Sequence, residues 1–368
     1  MKNKINIFFF ISKFNFGGAG NAVYTFLRNL NLKKFHINII FLGNSQYKNI
    51  LPKHVKYHQI NNKIKMFQTF FCFFKIRKLI SKETRNFKKN IFISNIHYSN
   101  VLTIFFLRKI NDLKIILFER TSIKELDIFF NLISYIKNKI VKLLLKITYK
   151  KADLILTNSK STTSELKKFG LNSKVIYSGS IKNVNSVKKF KLKKFYNIIS
   201  VGRLSKQKDY FTLIKAIKLL KFNSFNLKIY GDGEQKDELK KFIFKNKLQK
   251  VIFLKGHEKN KQKIYKDADL LIHTAVFEGM PNVIVEAMNY NIPIIASDCP
   301  GGTRELLRSG KYGLLFKLRD HFDLLKKINF FIQNRKILYN KVSKSKKSLK
   351  KFTYTNTVNS LDKILTKI

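Results

Sequence analysis

The chain has 368 residues, with 74 Lys and Arg against 22 Asp and Glu, a formal net charge of +52. That length allows one large domain or two ordinary ones, each able to bury its own core, and 45% apolar with 14% aromatic residues excludes a disordered polybasic tail. Two cysteines, Cys72 and Cys299, exclude a disulfide scaffold and a multi-cysteine zinc module, and they fit a reducing compartment.

The first segment, MKNKINIFFFISKFNF, mimics a signal peptide, but Lys13 cuts the apolar run short and no small-residue cleavage site follows at once. A buried first strand is the expectation. Short apolar runs then alternate with longer segments of helical period, the pattern of a βα-repeated protein with parallel sheets. Strands are expected at 6–11, 37–42, 91–94, 114–118, 153–157 and 174–177. The pattern restarts with 197–201, 226–230, 251–254, 269–273, 293–297 and 313–316. Residues 182–196, with VKKFKLKKFY, are polar and basic without glycine or a clear period, and read as a linker. The expected architecture is α/β: a Rossmann-like N-terminal domain over 1–181 and a second over 197–351, facing one another across a cleft. Residues 352–368 form a last helix, which could return to the N-terminal domain. The most apolar stretch, MFQTFFCFFKI at 66–76, is too short to span a bilayer.

The charge invites a nucleic-acid reading, so its distribution matters. Residues 1–180 carry 33 basic and 7 acidic side chains and residues 181–368 carry 41 and 15, net +26 in each half. Lysine outnumbers arginine 64 to 10, although arginine is the better reader of bases and phosphates. An even spread of lysine in an Asn-, Ile- and Phe-rich chain fits compositional bias better than a binding patch. No specific nucleic-acid partner is expected. A general attraction to anionic membranes or phosphorylated substrates remains.

Three motifs carry chemistry. Gly17-Gly18-Ala19-Gly20 follows the first strand and precedes a helical segment, where glycines let a backbone approach a ligand. The spacing is not G-x-G-x-x-G, so the dinucleotide fingerprint is absent, and a tight strand-to-helix turn is an equal reading. VGRLSKQKD, residues 201–209, sets Arg203 and Lys208 just past a strand, where two fixed cations can neutralise a departing diphosphate. The third, residues 273–306, places Glu278 in a loop and Glu286 eight residues on, inside a helix that Pro281 starts. Gly279, Met280, Pro281 and Asn282 between them present backbone donors, and the carboxylates suit sugar or ribose hydroxyls. Asp267-Ala268-Asp269 enters a strand rather than leaving one and is read as structural.

These residues resemble family 4 glycosyltransferases, enzymes of the GT-B fold. The match runs through VGRLSKQKD, YGDG (230–233), the Glu278/Glu286 pair and SDCPGGTRELLRSGKYGLLF (297–316), in the family's order and spacing. The first half resembles it less closely, through GGAG, IHYSN (96–100), FERT (118–121) and ADLILTNS (152–159). The resemblance implies that Arg203 and Lys208 hold and stabilise the donor's diphosphate, that Glu286 binds the nucleotide ribose, and that Glu278 faces hydroxyls of the transferred sugar. It implies that Gly279, Met280, Pro281 and Asn282 line the donor, that Gly18 closes on the phosphate, and that His97 is the counterpart of a histidine near the donor sugar. It further implies a retaining, metal-independent transfer without a cofactor, from a nucleotide-sugar, with UDP-hexose or UDP-N-acetylhexosamine expected. The acceptor would be a lipid-linked or surface glycan, as in lipopolysaccharide or capsule synthesis, and the place of action cytoplasmic, peripheral on the inner face of the plasma membrane. The family often has Asn-Gly after the last strand of the first domain; this chain has Ser178-Gly179, which affects the hinge.

Two basic, apolar stretches stand apart. In 63–82, Phe67, Phe70, Phe71 and Phe74 share one helical face among lysines; 128–150 carries Lys137, Lys139, Lys142, Lys146 and Lys150. Each is either a core-facing helix with a solvated side or an interfacial surface resting on a membrane. Two other functions compete with transfer: another GT-B enzyme such as a nucleotide-sugar epimerase, and a non-catalytic polycation binding nucleic acid or membrane.

Overall fold

A computed structural model describes residues 3–61, 68–129, 131–187, 190, 195–221 and 224–368. The chain forms two compact units, Met1–Gly179 with Tyr354–Ile368, and Ser180–Thr353.

The first unit is built on a parallel sheet of β1 (Ile5–Ile11), β2 (Phe35–Leu42), β3 (Lys56–Ile60), β4 (Asn90–Asn95), β5 (Leu113–Glu119), β6 (Leu154–Thr157) and β7 (Lys174–Val175). Its order is β3-β2-β1-β4-β5-β6-β7. The run INIFFFI has no polar alternation because both faces of β1 are covered. Ile7, Phe9 and Ile11 enter one core cluster, Phe8 and Phe10 the other. Helix α1 (Gly18–Asn29) covers the first face, together with the C-terminal helix Tyr354–Lys367, which contributes Val358, Leu361 and Leu365. The opposite face is covered by α2 (Gln68–Glu83), α3 (His97–Leu107), α4 (Leu132–Thr148) and α5 (Lys160–Lys167).

The second unit repeats the plan with β8 (Tyr196–Val201), β9 (Phe225–Tyr230), β10 (Ile252–Gly256), β11 (Leu270–His273), β12 (Ile294–Ser297) and β13 (Leu314–Phe316), ordered β10-β9-β8-β11-β12-β13. Among its helices are α6 (Tyr210–Lys218), α7 (Lys236–Lys245), α8 (Lys261–Tyr265) and α9 (Asn282–Asn289).

Several expectations are corrected. Strand β3 lies outside the expected set: KYHQI offers no apolar run because it is a half-exposed sheet edge. The expected strand at 174–177 pairs only through Lys174 and Val175. The described residues of the expected linker, 182–187, 190 and 195–196, group with the second unit. Asn289 ties the segment down, accepting from the Asn185 amide at 2.8 Å and donating to the Asn183 carbonyl at 3.0 Å; residues 188–189 and 191–194 lie outside the described residues. The two chain crossings run side by side, since the Ser180 amide donates to the Phe352 carbonyl at 2.9 Å. The boundaries therefore fall at 179/180 and 353/354.

The aromatic face expected in 63–82 points away from the core. Phe70, Phe71 and Phe74 are exposed, whereas Cys72, Phe73, Ile76 and Ile80 pack inward; Phe67 lies outside the described residues. No helix among the described residues is long and apolar enough to cross a membrane.

Candidate functional site

In the second sheet the strand order reverses between β8 and β11, and an open parallel sheet offers its ligand crevice beyond the carboxyl ends of the strands at such a point. The chain leaves β8 through Gly202 and Arg203, makes a 3₁₀ turn over Lys206–Lys208, and enters α6 with Asp209 as its cap. Asp209 sits in the left-handed region at φ 47° and accepts from the Thr212 hydroxyl at 2.7 Å. Three hydrogen bonds fix this turn to the segment after β11. The Gln207 side-chain amide donates to the Phe277 carbonyl at 3.0 Å, the Val276 amide to the Gln207 carbonyl at 2.8 Å, and the Thr274 hydroxyl to the Lys208 carbonyl at 2.6 Å.

That fixation joins Lys208 to Glu278. The Lys208 ammonium is paired with Glu278 Oε1, and His273 Nε2, at the end of β11, lies 3.1 Å from the same oxygen. Burial alone would raise the Glu278 carboxyl, but the Lys208 charge and the His273 hydrogen bond outweigh it and hold the group at about 2. Burial lowers the pKa of His273, with Lys208 acting in the same direction. A neutral imidazole therefore donates from Nε2 to a carboxylate that stays ionised at neutral pH. Such a carboxylate accepts hydrogen bonds; it does not supply protons. Arg203 is exposed at the end of β8, with no ion pair or hydrogen bond among the described residues.

Glu286 stands on α9 with both oxygens engaged. Oε1 meets the Lys261 ammonium at 2.6 Å and Oε2 accepts from the Tyr265 hydroxyl at 2.7 Å. Lys261 also donates to the Ser180 carbonyl at 2.8 Å. Between the two glutamates, the loop Gly279-Met280-Pro281-Asn282 ends with Pro281 as the cap residue of α9, and Asn282 Oδ1 accepts from the Ser180 hydroxyl at 2.9 Å. The loop is clamped from below by Gly301 and Gly302. The Glu278 amide donates to the Pro300 carbonyl at 3.0 Å and the Gly302 amide to the Gly279 carbonyl at 2.8 Å. Gly301 has φ 108°, and a Cβ there would lie 1.6 Å from the Glu278 carbonyl oxygen. Only glycine fits. Asp269, just before β11, accepts from the Asn197 amide at 2.9 Å.

The remaining two candidates belong to the first unit. Its sheet reverses between β1 and β4, and Gly18 opens α1 after β1 while His97 opens α3 after β4. Gly18 is exposed; Gly20 is the constrained position, since a Cβ would meet the Asn15 carbonyl oxygen at 2.1 Å. His97 is fully buried, its Nδ1 3.5 Å from Glu119 Oε2 and neither ring nitrogen hydrogen-bonded. Burial opposes protonation, yet the Glu119 and Glu125 carboxylates prevail and raise its pKa. Glu119 Oε1 also accepts from Asn100 at 2.7 Å and from the Tyr149 hydroxyl. Beside it Arg120 is buried, stacked 3.8 Å over the Phe118 ring and donating from Nε to Asn95 at 2.5 Å, while both terminal nitrogens lack partners. Burial draws that guanidinium down to about 9.

Sequence reasoning singled out His97 but gave no role to Glu119 and Arg120, though both lie in FERT. It also passed over His273, Lys261 and Tyr265. Nothing in spacing flags these, because helix α8 and strand β11 meet the glutamates only in the folded sheet.

Residues 181–349 match the family described as Glycosyl transferases group 1. An uncharacterized glycosyltransferase of Methanocaldococcus jannaschii is 32% identical over 286 residues, 66% of each chain. A Campylobacter jejuni protein named GalNAc-alpha-(1->4)-GalNAc-alpha-(1->3)-diNAcBac-PP-undecaprenol alpha-1,4-N-acetyl-D-galactosaminyltransferase is 27% identical, over 95% of this chain and 94% of its own. The solved structure of Anabaena HepE in complex with UDP-glucose superposes with a TM-score of 0.78 at 19% identity, covering 99% of this chain and 100% of that one. Two parallel-sheet units, the glutamate pair in its glycine-clamped loop and these matches agree: the chain has the GT-B fold and, through residues 181–349, belongs to the glycosyl transferases group 1 family.

Proposed function

We propose that the protein is a retaining glycosyltransferase that moves a sugar from a UDP-hexose or UDP-N-acetylhexosamine to a lipid-linked or surface glycan. It would act from the cytoplasmic side, peripheral on the membrane, without a resident metal or cofactor. The observation that carries this reading is the pairing of Lys208 with an ionised Glu278 beside an unpartnered Arg203, at the switch point of the second sheet.

In the free protein Glu278 neutralises Lys208. A donor diphosphate brings two negative charges to Arg203 and Lys208, so the ammonium can turn to the leaving phosphate while Glu278 accepts from sugar hydroxyls. The charge that builds on the departing diphosphate then meets two cations, the role a metal ion fills elsewhere. Because Glu278 stays ionised, it is a poor proton donor; the proton of the attacking acceptor hydroxyl passes to the departing phosphate oxygen. Glu286, oriented by Tyr265 and Lys261, would take the ribose hydroxyls, and the loop Gly279–Asn282 would line the sugar. The donor class is supported by the UDP-glucose complex of HepE, and the acceptor class by the PP-undecaprenol in the name of the Campylobacter jejuni relative.

The test is release of UDP from UDP-glucose, UDP-GlcNAc and UDP-GalNAc in excess chelator, with a polyprenyl-diphosphate-linked glycan as acceptor. One donor should react with its anomeric configuration kept, and Arg203→Ala or Lys208→Ala should lower kcat about 100-fold or more. Activity that needs a divalent cation, or a product of inverted configuration, contradicts the mechanism.

A further inference from the structure

Helix α4 buries one side and turns an apolar stripe outward. At about 100° per residue, Asn138, Leu145 and Thr148 form the buried side. Leu132, Ile133, Ile136, Ile140, Leu143 and Ile147 fall on a separate stripe roughly 100° wide, and every one is more than half exposed, Leu132 at 72%. The neighbouring α2 repeats the arrangement with exposed Phe71 and Phe74. Helix α3 joins the two. Its Phe106 ring packs 4.8 Å from that of Phe74, and its Tyr98 hydroxyl donates to Asn138 of α4 at 2.7 Å. The layer that closes one face of the first sheet therefore turns a second apolar surface outward.

Scattered exposed apolar residues are ordinary in soluble proteins; a periodic stripe along four helical turns is not. Its chemical surroundings choose the occupant. Helix α4 has Lys137, Lys139, Lys142 and Lys146 and no acid, and α2 adds Lys75, Lys78 and Lys82. The nearby carboxylates are engaged: Asp127 pairs with Lys142, and Glu83 with Lys56 at 2.8 Å. A second copy of this chain would bring the same lysines against these. An apolar stripe edged with cations matches an anionic lipid surface, whose headgroups meet the lysines while the stripe enters the boundary with the acyl chains.

We propose that the exposed faces of α2 and α4 form the surface by which the protein sits on anionic membranes. This deepens the peripheral placement in the proposed function, and its test needs no turnover, so either can fail alone. The chain contains no tryptophan, so one introduced tryptophan reports its own depth. Full-length Leu132→Trp and Phe71→Trp would be compared with Phe244→Trp, a 71% exposed position in the second unit. Each would be mixed with phosphatidylglycerol–phosphatidylcholine vesicles, plain or with brominated acyl chains, and with phosphatidylcholine alone.

A protein of charge +52 adsorbs to anionic vesicles through charge alone, so depth decides. On the anionic vesicles the first two variants should shift to the blue and be quenched by the bromines, and the control should do neither. The paired change Ile136→Asp and Ile140→Asp should lower partitioning roughly 100-fold, with stabilisation by UDP-sugars unchanged. Three results overturn the proposal: tryptophans on α2 and α4 that stay as wet as the control, a blue shift without lipid that grows with protein concentration (self-association), or unchanged partitioning of the doubly substituted variant.

Discussion

The Lys208–Glu278 pair makes a quantitative prediction. A carboxyl that ordinarily titrates near 4.5 is held at about 2 here, against burial, by the ammonium and by His273. Lowering a pKa by that amount corresponds to roughly 3 kcal/mol of preference for the ionised form, within the range of about 3–5 kcal/mol seen when one partner of a buried pair is removed. The sign follows from the direction. The folded-state pKa lies below the unfolded one, so the stabilisation is complete above pH 4.5 and lost as pH falls toward 2. Denaturant unfolding of the wild type, Lys208→Met, Glu278→Gln and the double variant gives a cycle that isolates the pair. At pH 7 the coupling should be about 3 kcal/mol, and it should shrink toward zero near pH 2. A small coupling at pH 7, or one that stays constant on acidification, would refute the electrostatic reasoning.

Gly301→Ala should break the clamp under the glutamate loop, since its Cβ would sit 1.6 Å from the Glu278 carbonyl oxygen; loss of UDP-sugar binding with an intact first-unit unfolding transition checks this. Leu361→Ala in the C-terminal helix removes a fully buried side chain from the first core. It should destabilise that unit by about 2–5 kcal/mol in denaturant unfolding. His97 has its pKa raised by Glu119 and Glu125, so its contribution is full below about 6.5 and fades as pH rises through the folded value. Wild type should lose first-unit stability on going to alkaline pH, and Glu119→Gln should flatten that dependence.

The second unit was largely legible because its chemistry is contiguous: VGRLSKQKD and the two glutamates each lie in one strand–loop–helix segment, where spacing reports position. The partners of those residues were not. Tyr265 and Lys261 reach Glu286 from another helix, and His273 reaches Glu278 only because β11 ends where the loop turns back. Strand β3 was hidden by its place at the sheet edge, where one-sided burial asks for no continuous apolar run. The faces of α2 and α4 show a different limit. Helical periodicity marks a stripe as apolar, but a core and a lipid surface ask for the same stripe; Phe71 and Leu132 reveal their direction only through the helices they leave uncovered.

Whether Arg203, Lys208 and Glu286 form a nucleotide-sugar site is read out by thermal stabilisation of the purified chain with UDP-, GDP- and ADP-sugars. At a ligand concentration about 100 times the dissociation constant, binding adds roughly 2.7 kcal/mol, a rise in Tm of about 5–10 °C for a unit of this size. UDP-sugars alone should give the rise, and Arg203→Ala and Glu286→Ala should each abolish it. A rise of equal size in both variants would place the nucleotide away from these residues.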